Sequence, residues 1–325
     1  MLGKTNLIDE RDRKILSELD RNARQTDSQI AKKVGTSKQV VNYRIKQLQK
    51  NGIISNFYTI VNIGNFGLNS YYIFIQFENI NKEQEKSLLQ KINSLDCVGW
   101  LISGMGRWDA VVLINVSSVI EFDKSLNKII SICGEHLHEY IFTTLITAEH
   151  LNYKFLEDKQ IYSIKQTEKS KIISLDGNDK KILQAISQNA RMSIVELSEK
   201  TKIPLHAFHY HLKNMIKNKL IEGFKPKLDI SKLGIQWHLL LIQFQKISEG
   251  RKNEFMEFCK NHSKVYYVTN TIGNYNLMLD IHVKDVEDFK EVLLDIKDKF
   301  SDIIKIYESM IIFEEYKINY LPKKI

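Results

Sequence analysis

Shifting the chain by 167 positions lays its second half on its first without a gap. Asp9 then falls on Asp176, Asp12 on Asp179, Lys14-Ile15-Leu16 on Lys181-Ile182-Leu183, and Asn22-Ala23-Arg24 on Asn189-Ala190-Arg191. Further along, Tyr43 meets Tyr210, Gly67 meets Gly234, Gln76-Phe77 meets Gln243-Phe244, Gly106 meets Gly273, Phe122 meets Phe289 and Tyr140 meets Tyr307. A register this constant marks an internal duplication. Whatever one unit of about 150 residues folds into, the chain holds two of them. Residues 157–173, mostly polar and charged, read as the linker between them.

The chain has 325 residues, enough for several small domains with separate cores. Its 43% apolar and 26% charged residues are those of an ordinary globular protein, not of a disordered or fibrous one. A net charge of +8 favours an anionic partner. No run of 18 apolar residues suggests a membrane span, and Met1 to Arg13 lacks the apolar stretch of a signal peptide. Cys97, Cys133 and Cys259 lie far apart and outside any CxxC pattern. They read as buried thiols in a reducing cytoplasm, the expected location, and not as disulfides or zinc ligands. No metal or cofactor is expected.

The first third of each unit reads as helical. Ile8, Ile15, Leu16 and Leu19 have helical spacing. Thr26 with Gln29 forms a capping box for a second helix, which Gly35 ends. Ser37 caps a third helix that runs to about Asn51, and a β-like run, Ile53 to Ile60, follows. This is the plan of a winged helix-turn-helix. On the third helix Val41, Ile45 and Leu48 form the buried stripe, while Gln39, Tyr43, Lys46 and Lys50 face outward. Residues 37–51 hold four basic groups and no acid, which suits a reader of base edges and phosphates. A solvated lysine face is the competing reading. The second unit weighs against it: the stripe becomes Phe208, Leu212 and Met215, and the outer face becomes His206, Tyr210, Lys213 and Lys217. Packing gives no reason to hold a tyrosine outward twice. Charge is partitioned the same way, at +5 over residues 7–56, +3 over 174–223 and −3 over 57–156. Arg44, at the stripe's edge, is expected to bridge to an acid of the first helix such as Asp12.

Residues 70–147 alternate in type. Strands are predicted at Tyr71 to Phe77, Val98 to Ser103, Ala110 to Val116 and Tyr140 to Thr147, with helices at Glu83 to Ser94 and Val119 to Ile132. This βαββαβ order is the ferredoxin-like plan, an antiparallel sheet with helices on one face. The second unit repeats it, with strands near Trp237–Phe244, Val265–Thr269, Leu277–Val283 and Lys305–Phe313. The open sheet face must be covered, most simply by another copy. Gly104, Gly106, Arg107, Trp108 and Asp109 form the turn between the second and third strands, with Gly273, Asn274, Tyr275 and Asn276 as their counterparts. Glycine there admits a ligand carboxylate to main-chain N–H groups, and Asp109 is placed to take its ammonium. An ordinary hairpin turn is the plainer alternative.

In this order the pieces resemble the Lrp/AsnC, or feast/famine, family of transcription regulators. Leu7-Ile8-Asp9-x-x-Asp12-x-x-Ile15-Leu16 is similar to the family's opening "LDxxDxxIL". Ser37-x-x-Val40-Val41-x-x-Arg44-Ile45-x-x-Leu48-x-x-x-Gly52-Ile53-Ile54 resembles its recognition helix, and Gly106-Arg107-Trp108-Asp109 its "GxYD" signature. The resemblance implies an α+β architecture of two winged helix-turn-helix domains and two ferredoxin-like (ACT-like, RAM) effector domains in tandem. Expected bounds are 1–60, 61–156, 174–227 and 228–325, around the linker at 157–173. It also implies double-stranded promoter DNA as partner, an amino acid or related small molecule as effector, and self-association through the ferredoxin-like domains. The residues expected at DNA are Ser37, Lys38, Gln39, Asn42, Tyr43, Lys46 and Lys50, with His206, His209, Tyr210, Lys213 and Lys217 in the second unit.

The second unit departs from the pattern at Pro204 for Ser37, His211 for Arg44, Lys219 for Gly52, and Asn276 for Asp109. No catalytic residues are expected. Two alternatives stand beside the regulator. One is an enzyme resembling the siroheme decarboxylases of the same fold, which use histidine on the second sensor strand. That strand reads Val98-Gly99-Trp100-Leu101 here, and Val265-Tyr266-Tyr267-Val268 in the second unit. The other is an interaction scaffold that no longer binds DNA. His206-x-x-His209-x-His211 is not expected to gather a metal, because His211 leaves the face that His206 and His209 share.

Overall fold

The computed structural model describes residues 8–156, 162–167 and 172–321. Leu7 and most of the expected linker lie outside the described residues. Each unit opens with three helices: α1 (Glu10–Arg21), α2 (Asp27–Val34) and α3 (Lys38–Lys50) in the first, α6 (Gly177–Gln188), α7 (Ile194–Thr201) and α8 (Leu205–Lys217) in the second. Local chemistry sets their starts. Asp9, Thr26, Asp176 and Ser193 all close capping boxes, and Ser37 accepts the Val40 amide with its hydroxyl. The stripes Val41–Ile45–Leu48 and Phe208–Leu212–Met215 are buried.

The two helical modules share one hydrophobic core. Each contributes a single strand after its third helix, β1 (Ile54–Val61) and β7 (Ile221–Leu228), and these pair antiparallel with each other. Equivalent residues meet in this ladder: Tyr58 opposes Lys225, and Phe57–Pro226 mirrors Thr59–Phe224. A pseudo-two-fold axis therefore runs through the Tyr58–Lys225 pair. The arginines of the two Asn-Ala-Arg turns cross it reciprocally. Arg24 donates to the carbonyls of Ala190 and Met192, and Arg191 to those of Ala23 and Gln25.

The rest of the first unit is β2 (Asn69–Phe77), α4 (Lys82–Asn93), β3 (Val98–Gly106), β4 (Ala110–Val116), α5 (Val119–Cys133) and β5 (Leu137–His150), followed by a short β6 (Ile164–Thr167). The second unit repeats the order as β8 (Gln236–Phe244), α9 (Glu249–Asn261), β9 (Val265–Gly273), β10 (Leu277–Val283), α10 (Val286–Phe300) and β11 (Ile304–Ile318). The last strand of each unit is longer than its apolar pattern suggests. The first half of β11 pairs with β8 of its own sheet, and its second half with β3 of the other unit. Likewise β5 pairs first with β2, then with β9. Together with β2–β4, β3–β4, β8–β10 and β9–β10 these ladders close a ring of eight antiparallel strands, with β6 attached to β5.

Alternation along the strands then makes two kinds of core. On β2, Ile73 and Ile75 face α4 and α5, while Tyr72 and Phe74 point into the ring. On β4, Ala110, Val112 and Ile114 face the helices, and Val111 and Leu113 point inward. Burial on both faces explains the continuous apolar run of this strand. The sheet face expected to need a second copy is thus covered by the other unit of the same chain. Among the described residues, no helix is long and apolar enough to cross a membrane.

Candidate nucleic-acid interface and sensor turns

On α3, Lys38, Gln39, Asn42, Tyr43, Lys46 and Lys50 are all exposed, as are His206, His209, Tyr210, Lys213 and Lys217 on α8. Tyr43 is 64% and Tyr210 65% exposed, so both units hold the ring out in solvent. Among the described residues, no acid lies within ion-pair distance of Lys46, Lys50, Lys213 or Lys217. Both faces are therefore free cations around an aromatic hydroxyl. Ser37 is spent on the cap, and the Asn42 amide donates to Asp27 at 2.8 Å. Asp27 in turn pairs with Arg191 of the other module.

Arg44 turns inward to Asp9 at 2.7 Å and Asp12 at 2.9 Å, the bridge expected of it. The Asp9 carboxyl is held below its ordinary value by the Asp12 amide and, against some burial, by the Arg44 guanidinium. In the second unit His211 takes this place, 2.8 Å from Asp179. Potential ligand atoms of Asp176, Asp179 and His211 lie within 4.8 Å of one another. The same two acids hold a guanidinium in the first unit, so the cluster reads as the counterpart of an ion pair.

The sensor turns have structural duties in both units. A Cβ on Gly104 would sit 2.0 Å from the Ile311 carbonyl oxygen, and one on Gly106 2.3 Å from that of Ser309. Glycine is required there because β11 of the other unit passes against β3, with no ligand needed. Asp109, expected at a ligand ammonium, accepts the Phe77 amide at 2.7 Å. Asn276 accepts the equivalent Phe244 amide at 2.9 Å. Only an acceptor oxygen is used, which is why Asn276 serves where the first unit has an acid. Arg107 pairs with Glu139 and lies over the Trp108 ring. Trp108, buried inside the ring, donates its indole N–H to Tyr275 at 2.7 Å, and the Tyr275 hydroxyl also meets Glu308. Asn274 is exposed.

The sequence reading missed a cavity where the wing strands meet the mouth of the strand ring. Its empty volume, counted out to solvent, is about 750 Å³. Trp100, Trp237, Tyr72 and Tyr267 form much of its wall. The sequence places no histidine on the second sensor strands, yet the fold brings in His150 from β5 and His282 from β10. Burial keeps both uncharged at neutral pH, pulling His282 down to about 3 and His150 well below its usual value. The Nδ1 atom of each has no hydrogen-bond partner among the described residues. Two carboxylates reach the cavity. Glu315 is paired with Lys227 at 2.9 Å and bonded by the Trp100 indole at 2.8 Å. Asp280 is 4% exposed, accepts only the Trp237 indole at 2.7 Å, and has no cation in ion-pair range among the described residues. Burial pushes its carboxyl up to about 7, against the pull of that indole bond.

A model of winged helix-turn-helix DNA-binding domains matches the chain twice, at residues 8–55 and 175–222. The HTH-type transcriptional regulator Ptr1 of Methanocaldococcus jannaschii is 31% identical over 120 residues, covering 37% of this chain and 80% of that protein. An uncharacterized HTH-type transcriptional regulator of Pyrococcus horikoshii is 29% identical over 122 residues, covering 37% and 81%. Over the whole chain the fold is similar to the siroheme decarboxylase NirDL, with a TM-score of 0.62 over 97% of this chain and 94% of that one, at 14% identity. With two matched helix-turn-helix domains, relatives about as long as one repeat, and a duplicated βαββαβ fold, the chain belongs to the Lrp/AsnC family of transcriptional regulators, as a tandem of two units.

Proposed function

We propose that the chain is a sequence-specific DNA-binding transcription regulator that reads double-stranded promoter DNA with α3 and α8, and that it is not an enzyme. The observation that carries this reading is the pair of outward faces, each an exposed tyrosine among lysines that no acid among the described residues neutralises. Lys46, Lys50, Lys213 and Lys217 are assigned to phosphates. Gln39, Asn42 and Tyr43, with His206, His209 and Tyr210, are assigned to base edges near the helix starts. Changing Lys46 and Lys50 to Ala removes about two phosphate contacts, so the slope of log K against log salt should shrink by roughly 0.9 for each. Neither residue lies on the buried stripe, so the fold should be unaffected. Unchanged affinity and slope would remove α3 from the interface, and no DNA binding at all would leave the scaffold reading.

A second reading has one observation in its favour. The whole-chain likeness to a siroheme decarboxylase coincides with two buried histidines in the cavity between the wing strands and the strand ring. Titration with an iron tetrapyrrole separates the two. A saturable Soret shift would support the enzyme reading, and the regulator reading expects none.

A further inference from the structure

The duplication makes this cavity chemically one-sided. Asp280 corresponds to Leu113, Trp237 to Ser70 and His282 to Asn115. In the first unit Ser70 and Asn115 bond each other at 2.7 Å, so that side closes on itself. The side built by β8 and β10 instead carries a buried acid, an indole and an imidazole whose Nδ1 is unpartnered. A nearly symmetric shell thus holds a single polarised site.

What that site lacks is a second cation to match its second carboxylate. Of its two carboxylates, Glu315 has Lys227, while Asp280 has, among the described residues, only an indole N–H. A buried carboxyl without a cation is costly unless it is protonated or a partner arrives. The surroundings suit a cation. The Trp100 and Trp237 rings lie 6.2 Å apart, and Tyr72 stands edge-on to Trp100 at 6.0 Å. Faces of indole and phenol rings carry negative potential and attract desolvated cations, most of all spread-out ammonium groups. His150 and His282 stay neutral, so neither supplies the missing charge.

We propose that this cavity is a binding site for a small organic amine, its ammonium held by Asp280 against the indoles of Trp100 and Trp237. One such site exists per chain, because Leu113 occupies the position equivalent to Asp280. The roof of the site comes from the wing strands, through Tyr58 on β1 and Lys227 on β7, and its floor from the sensor strands. A ligand there touches both the helical modules and the strand ring. The site is distinct from the sensor turns, whose acceptor groups are taken up by backbone amides.

The test uses the full chain without DNA, so its outcome does not depend on the DNA-binding reading. Trp100 and Trp237 are two of the chain's three tryptophans, so intrinsic fluorescence reports on the site directly. Choline and phenethylamine are titrated beside their uncharged counterparts, 3,3-dimethylbutanol and phenylethanol, and thermal unfolding is followed in parallel. The expected result is a saturable fluorescence change and a raised melting temperature with at least one amine, its uncharged counterpart binding at least about tenfold more weakly. Asp280→Asn should weaken the amine by about tenfold or more, and leave the weak binding of the uncharged compound as it was. Should that variant fail to fold, the comparison of charged and uncharged pairs on the unaltered protein decides alone. No response to either amine up to about 10 mM, or equal responses to amine and alcohol, would overturn the proposal.

Discussion

Asp20 and Lys225 form an ion pair that is almost wholly buried, with Nζ 2.8 Å from Oδ1 and side chains 1% and 0% exposed. The Lys225 ammonium also donates to the Leu151 carbonyl at 2.7 Å, and the other Asp20 oxygen accepts from the Tyr153 amide and the Tyr162 hydroxyl. At this separation the gross attraction is about 6 kcal/mol with an effective dielectric of roughly 20, and desolvation of two ions offsets most of it. Removing one partner is therefore the damaging change. Asp20→Asn should cost about 3–5 kcal/mol, because it strands a buried ammonium. Lys225→Met should fall near the lower end of that range, since Asp20 keeps two donors. The double variant should be far less destabilised than the sum, with a coupling of at least about 2 kcal/mol. Urea unfolding of the four proteins, followed by far-UV circular dichroism, measures it. Burial already pulls the Lys225 ammonium below its usual value against the attraction of Asp20. In Asp20→Asn that depression grows. The native state then releases a proton that the unfolded chain keeps, so stability rises with pH and the deficit should narrow between pH 7 and 9. Additive costs, or a deficit that widens with pH, would refute the reasoning.

Four other substitutions follow from the comparison of units. Where the first unit ends its second and third helical segments with Gly35 and Gly52, the second unit has Lys202 and Lys219 at φ of 57° and 59°. Lys202→Gly and Lys219→Gly should each stabilise by about 0.5–1 kcal/mol, read as a higher urea midpoint; lower midpoints would contradict the strain argument. At the first sensor turn, Asp109→Asn should be nearly neutral because Asn276 already makes the same bond. Asp109→Ala should cost about 1–3 kcal/mol by stranding the Phe77 amide, and equal losses for both would mean that the charge matters.

The fold was legible where its cause is local or periodic. The constant offset, the capping box at Thr26 and Gln29, and the stripe Val41–Ile45–Leu48 each name one element and one face. The bridge from Arg44 to Asp12 was legible because it joins neighbouring helices. Features created between the units were not. Nothing in Ile304–Ile318 says that one half of the strand serves its own sheet and the other half the other unit, since an apolar residue serves either. Gly104 and Gly106 resemble a ligand-binding turn in sequence, and the strand passing against them becomes visible only once the ring closes. His150, Asp280 and His282 come from separate strands and share no motif. The Tyr58–Lys225 pair shows the halves diverging on the axis itself, where two identical units would place two lysines or two tyrosines.

That divergence reaches the recognition helices. At the start of the third helix Gln39 has His206 as its counterpart in the other unit, Asn42 has His209, and Lys38 has Leu205. Two different readers fixed in one chain should select two different half-sites, with the first contributing more affinity through its larger positive charge. Selection of bound sequences from a random pool of double-stranded DNA tests this most directly. Enrichment of an asymmetric site whose two halves differ, one half weakened by Lys46→Ala/Lys50→Ala and the other by Lys213→Ala/Lys217→Ala, is the predicted result. Enrichment of a perfect inverted repeat, or of no sequence at all, would contradict the account.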